Sequence, residues 1–261
     1  MEDEKVFFSA RPDFINESNG EMYWEPVFYI YKEKGNTEKE MEEHLCGLDY
    51  GCGTPEEAIE EAKLTYKMIK TRKVYALGPI ELKDSVYVSD PCYGTFVWCI
   101  GLIEGIKPGK WLGFMAKSET NWGIRVTDLW ICNEDNLEYP EQEMVKDLCI
   151  GVDSGSAGIY DKEYYEHYHQ FKEGEERGEL FEEWYDRQFD ERYYKDSHGN
   201  KIKDNYDPEQ HCLVHDDNSA DGIALDGKCV ISFSGYGDGS YKAYVNKDEY
   251  GKIVGIRINY C

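Results

Sequence analysis

The sequence predicts an α+β protein. A small module of β-hairpin plus helix occupies residues 1–75, and a β-rich body, an antiparallel sandwich or barrel-like arrangement, occupies 76–261 with an acidic helical insertion at about 161–210. Three observations predict it. Aromatic and β-branched runs broken by Gly, Pro, Asn and Asp recur along the chain at the spacing of antiparallel strands. One segment near residue 54 carries every mark of a helix start. Residues 161–210 place aromatics at intervals of three and four inside an acidic stretch, the period of amphipathic helices.

Taken in order, residues 6–9 and 23–32 are strand-like, and 15–20 between them has the Asn, Ser and Gly content of a turn, which predicts a hairpin. Thr54 is an N-cap residue, Pro55 suits the first helical position, and Glu57 stands three residues after the cap. Ala58, Ile59, Ala62, Tyr66 and Ile69 then recur at helical spacing, so one face is predicted to pack on the hairpin. Gly51 and Gly53 just before the helix read as a turn, since Glu56 and Glu57 open the helix where a phosphate loop would need Lys or Arg.

In the body, strands are predicted at 87–91, 96–103, 111–115, 124–132 and 148–152, with a polar loop or single helical turn at 135–146. Two amphipathic helices follow, carrying Tyr164, Tyr165, Tyr168, Phe181 and Trp184 and separated by Gly174 and Gly178. The chain closes with strands at 229–234 and 241–246 around a Gly-rich segment, a turn at 248–251, and a strand in which Val254, Ile256, Ile258 and Tyr260 alternate with more polar residues.

Charge restricts the partners. Against 29 Lys plus Arg stand 53 Asp plus Glu, a net of -24. Such a surface repels nucleic acid and anionic lipid, so neither is expected to bind directly. Across 161–221, 19 acidic residues face 8 basic ones, a net of -11, so the insertion carries nearly half of the excess. With a hydrophobic fraction of 41%, the chain has ample material for a core. It shows no basic, apolar leader and no apolar run of the roughly 18 residues a membrane span needs, and it is read as cytoplasmic. Its nine cysteines contain no CxxC pair and are read as free thiols.

Three Asp-containing segments could carry chemistry: 89–93 (Ser-Asp-Pro-Cys-Tyr), 151–155 (Gly-Val-Asp-Ser-Gly) with Asp161 beyond it, and 235–241 (Gly-Tyr-Gly-Asp-Gly-Ser-Tyr). Each sets a carboxylate at a strand end among glycines that permit close backbone approach, and each is also what a tight Asx-turn requires. Candidate ligand-binding residues are Asp90, Tyr93, Asp153, Ser154, Asp161, Asp238 and Tyr241. Should Asp90, Asp153 and Asp238 converge, they offer oxygen ligands to Mg²⁺ or Ca²⁺. Other constellations fall short. The 217–222 segment copies half of a calcium loop but has Lys228 at the twelfth position, Ser154 is one place out of a GxSxG elbow, and His167 and His169 point apart on a helix.

The segment 232–241 with 251–258 after it resembles the ending of the DUF4241 family of bacterial and phage-associated proteins. The segments 89–93 and 151–161 resemble that family's other recurring motifs in the same order, so the resemblance covers roughly 77–261. The family's function is unknown. The resemblance implies that Asp90, Asp153, Asp161 and Asp238 belong to one recurring pattern.

The favoured expectation is a non-catalytic protein, needing no cofactor, that binds a basic protein partner as immunity or inhibitor proteins do. Its surface is assigned to Glu175, Glu176, Glu182, Glu183, Trp184 and Asp186. The alternative is a metal-dependent hydrolase or small-ligand-binding enzyme using Asp90, Asp153 and Asp238.

Overall fold

The computed structural model describes residues 5–15, 21–34, 38–45, 51–146, 148–175, 177–192, 206–207, 212–213 and 221–260. The chain divides into a first unit, Met1–Arg72 with Glu119–Trp122, and a second, Lys73–Ser118 with Gly123–Cys261.

In the first unit β1 (Lys5–Ile15) and β2 (Met22–Lys34) form the expected hairpin, with Val6 opposite Ile30 and Phe8 opposite Phe28. These residues share one face, which meets Ala62 and Tyr66 of helix α1 (Pro55–Thr71). Thr54 caps that helix by accepting from the Glu57 N–H at 3.2 Å. The Glu57 carboxylate accepts from the Gly53 N–H at 3.1 Å, so the helix start is filled by its own side chain and is not shaped for an anion. Cys52 exchanges two 2.8 Å main-chain hydrogen bonds with Trp24. A Cβ on neighbouring Gly51 would lie 2.8 Å from Tyr23 Cβ, so glycine serves close approach to the sheet there. The sequence reading did not anticipate β3 (Glu38–Leu45), which pairs antiparallel with β2. The turn expected at 15–20 falls outside the described residues beyond Ile15.

The second unit contains β4 (Lys73–Leu82), β5 (Ser85–Ser89), β6 (Gly101–Glu104), β7 (Gly109–Thr120), β8 (Gly123–Asn133), β9 (Glu143–Met144), β10 (Ile150–Val152) and β11 (Ser156–Asp161). Helices α2 (Lys162–His169) and α3 (Glu179–Arg192) come next, followed by β12 (Tyr206–Asp207), β13 (Cys212–Leu213), β14 (Gly222–Leu225), β15 (Cys229–Phe233), β16 (Gly239–Lys247) and β17 (Ile253–Asn259). One sheet runs β10-β16-β17-β8-β7-β4, with β9 pairing β16. A second runs β14-β15-β11-β5-β6, and neither closes into a barrel.

The two sheets share one core. Trp111, Met115, Ile256 and Ile258 from the first meet Val86, Val88, Ile159 and Val230 from the second. Strand alternation then sends Tyr160, Cys229 and Ile231 to the other face of the second sheet, where they pack with Tyr165 of α2 and Phe181 and Trp184 of α3. The architecture is therefore sheet, sheet, helices. The aromatic side of the acidic insertion covers the sheet, as its periodicity indicates. Residues 96–100, expected as part of a strand, are turns, and β6 begins only at Gly101.

Among the described residues one ion pair is fully enclosed. Lys117 Nζ lies 2.5 Å from Asp221 Oδ2, with the side chains 1% and 2% exposed, and the ammonium stands over the Tyr75 ring at 5.2 Å. Lys117 continues the inward-facing row of Trp111 and Met115 on β7. The six described cysteines whose state is defined (52, 92, 99, 132, 149 and 229) are free thiols. Among the described residues no helix is long and apolar enough to cross a membrane.

Candidate functional site

The three Asp segments do meet, at the turn 153–155. β5 delivers Asp90 into the interior with no exposed surface. Its Oδ1 accepts from the Cys92 N–H at 2.7 Å, an Asx-turn, and from the Ser154 hydroxyl at 2.8 Å. Its Oδ2 accepts from the N–H groups of Asp153 and Ser154, both at 2.7 Å. From the opposite side Asp238 Oδ1 accepts from the Gly155 N–H at 3.1 Å, while the Gly155 carbonyl accepts from the Ser234 N–H at 3.0 Å. The third segment is folded on itself: Ser234 Oγ and the Tyr241 hydroxyl both donate to the Gly237 carbonyl, at 2.6 and 2.8 Å. Gly235, at φ 67, is required there, because a Cβ would stand 2.3 Å from the Val126 carbonyl oxygen.

This chemistry is that of a structural clamp. Four N–H or O–H donors saturate the Asp90 carboxylate, and a hard cation would have to displace them. Among the described residues no group of three or more His, Cys, Asp or Glu side chains is gathered to hold a metal ion. The trio Asp90, Asp153 and Asp238 therefore meets at one turn without forming a metal shell, and these residues do not fit Mg²⁺ or Ca²⁺.

Nor is a nucleophile activated. Burial, and then the Asp90 charge, push the Cys92 thiol well above its ordinary range, so it stays protonated. The Tyr93 phenol is raised by burial and by its hydrogen bond to the Asp153 carboxylate. Ser154 spends its hydroxyl proton on Asp90.

Asp161 does not join the cluster. It lies at the other end of β11: Gly158 pairs with Ser89 beside Asp90, whereas Asp161 pairs with Val86. Its carboxylate caps α2 by accepting from the Tyr164 N–H at 3.3 Å and accepts from the Lys83 N–H at 3.1 Å. An Asp followed by Glu two places later at the start of an aromatic period was the available signal for this role.

The residues assigned to a partner surface differ in exposure. Glu175, Glu182, Glu183 and Asp186 are exposed, and Glu176 lies outside the described residues. Trp184 does not belong to that surface: it is 1% exposed and donates its indole N–H to the Tyr164 hydroxyl at 2.8 Å. On α3 the residues three and seven apart, Phe181, Trp184 and Gln188, form the buried stripe, which leaves the acids on the outer one. Arg187 fixes the helix to the β14–β15 turn through a two-pronged contact with Asp226 at 2.8 and 2.7 Å.

His169 connects these helices to the clamp. It is fully buried and stacked on Tyr165 at 3.8 Å, with Nδ1 2.9 Å from the Tyr165 carbonyl and Nε2 3.2 Å from the Pro91 carbonyl. His167, two residues earlier, is exposed, so the HxH pair does not share a ligand. Burial lowers the His169 pKa from 6.5 to about 4 against the opposing pull of the two carbonyls, with Arg177 adding to the fall. The unfolded imidazole binds its proton near 6.5 and the folded one only near 4. The unfolded state thus holds more protons between those values, and stability falls as pH drops through that window. His169→Gln is expected to flatten the wild-type loss between pH 6.5 and 4 by up to about 3 kcal/mol, measured by urea unfolding at each pH. Parallel wild-type and variant pH curves would sink this account.

The clamp and the two-sheet body define a class, an α+β protein organised by Asp-Gly turns. Residues 130–258 match the family model DUF4241, a protein of unknown function. No curated protein and no solved structure matches the chain. Asp90 lies outside the matched segment, yet its carboxylate grips Asp153 and Ser154 inside it.

Proposed function

We propose that this is a non-catalytic binding protein of the cytoplasm that captures a basic macromolecular partner through the acidic face of the α2–α3 region, in the manner of an immunity or inhibitor protein. The observation that carries this reading is the orientation of α3. Glu179, Glu182, Glu183 and Asp186 stand in solvent, on a helix pinned by the buried Phe181, Trp184 and Gln188. A rigid array of like charges on a chain of net -24 steers a basic surface into encounter. The hydrolase alternative loses support because Asp90 and Asp238 accept from main-chain N–H groups and Asp153 takes the Tyr93 phenol.

Low-salt affinity purification followed by stopped-flow association tests the reading. The variant E179Q/E182Q/E183Q/D186N is expected to associate about ten-fold more slowly than wild type at low ionic strength, with the difference fading as salt is added. Equal association rates at low salt would remove this face from the reading.

A further inference from the structure

The loop of residues 91–100, between β5 and β6, is held from several sides. Tyr93 N–H donates to the Asp90 carbonyl at 3.3 Å and Val97 N–H to the Gly94 carbonyl at 3.1 Å. Thr95 N–H donates to the His169 carbonyl and Gly151 N–H to the Cys99 carbonyl, both at 3.1 Å. Out of this braced loop Trp98 projects with 85% of its surface exposed. An indole carries more apolar area than any other side chain, and a braced loop gives it no route inward, so the ring stays available to a partner. Exposed tryptophans of this kind are the residue type most enriched at binding hot spots.

The loop that carries Trp98 adjoins the α2–α3 connection. Phe96, 45% exposed, meets the Phe171 ring at 5.8 Å, and Phe171 meets Phe181 at the start of α3 at 5.1 Å. The α2–α3 connection beside this aromatic bridge exposes Glu173, Glu175 and Glu179. On the loop's other flank Asp153 is exposed two residues beyond Gly151, whose N–H holds Cys99. Of the cations in the region, Lys172 is exposed beside Phe171 and Arg177 is placed over the Phe171 and Phe181 rings at 6.0 and 5.1 Å. Arg177 covers those two rings and leaves the Trp98 indole to another cation.

We propose that Trp98 anchors the partner interface, taking an arginine side chain of a basic protein over its indole face while the acids of the α2–α3 connection hold neighbouring basic groups. The choice of occupant follows from charge complementarity and from the preference of guanidinium for an aromatic face. This inference rests on the proposed function and assigns its central contact.

The probe is an acetylated, amidated hexa-arginine peptide, titrated at low salt into the ¹⁵N-labelled full chain. The Trp98 indole N–H signal is assigned through Trp98→Phe. That signal is expected to shift on titration, and Trp98→Ala to bind about ten-fold more weakly while keeping the wild-type melting curve. Trp122→Phe, at another exposed tryptophan, is expected to bind as wild type does. Salt-sensitive binding that the four-fold charge variant loses and Trp98→Ala retains would overturn the Trp98 anchor and leave the acidic-face reading standing. Absence of any hexa-arginine binding would overturn both.

Discussion

Asp90→Ala is expected to destabilise the second unit by about 3–5 kcal/mol, because three N–H groups and one hydroxyl around the turn 153–155 lose their shared acceptor, each buried donor costing about 1–3 kcal/mol before relaxation. That is a large part of the roughly 5–15 kcal/mol that holds a domain together. Asp90→Asn keeps the shape but turns an NH₂ toward N–H donors, and is expected to cost about 2–3 kcal/mol. Asp153→Asn, at an exposed carboxylate that takes the Tyr93 phenol while its main-chain N–H bonds Asp90, is expected to cost less than about 1 kcal/mol, since an amide oxygen still accepts from the phenol. Urea unfolding of the three variants checks this ordering. Removal of a carboxylate kept for catalysis or metal binding typically leaves stability unchanged or raises it. A neutral or stabilising Asp90→Ala would therefore reopen the enzymatic reading.

The second large effect lies at Lys117 and Asp221. With both side chains about 1–2% exposed, removing either leaves the other charge buried without its ion partner, so Asp221→Ala or Lys117→Met alone is expected to cost about 3–5 kcal/mol. The double variant Lys117→Met/Asp221→Leu places apolar groups in an interior already lined by Met115 and Leu77, and is expected to come within about 1 kcal/mol of wild type. The double-mutant cycle gives the coupling directly. If the double variant were as unstable as the sum of the singles, the interpretation as a coupled buried pair would be wrong.

Where local physics determined an element, the sequence displayed it. The start of α1 was legible because its capping residues act on their own neighbours, and β17 was legible because Val254, Ile256 and Ile258 alternate with Gly255, Arg257 and Asn259. β3 was hidden: Glu38–Leu45 is rich in Glu and Lys, has no strand composition, and becomes a strand only by pairing with β2. β4 contains Gly78 and Pro79, which argue against a central strand, and it indeed lies at a sheet edge, where a missing N–H is tolerated. Residues 96–100 look like a strand because they are apolar, but their turns are set by bonds to His169 and Gly151 that are distant in sequence. The grouping of Asp90, Asp153 and Asp238 was legible as a pattern. Its purpose was not, since the donors that occupy Asp90 are the main-chain N–H groups of a turn more than sixty residues away. Trp184 was misplaced on the partner surface although its period with Phe181 already set it on the aromatic stripe that covers the sheet.

The position of β17 bears on how the chain is made. It lies between β16 and β8 in the middle of its sheet, although β8 is complete by residue 133. During synthesis β8 therefore leaves the ribosome with one edge open and waits for residues 253–259, an interval of several seconds at roughly 5–20 residues per second. An unpaired apolar edge is the form in which a nascent strand recruits other chains. The strand pairing and apolar cluster of the first unit use residues 5–66 alone and can assemble in that interval. Chaperone demand during translation is thus expected to concentrate on the stretch between β8 and β17.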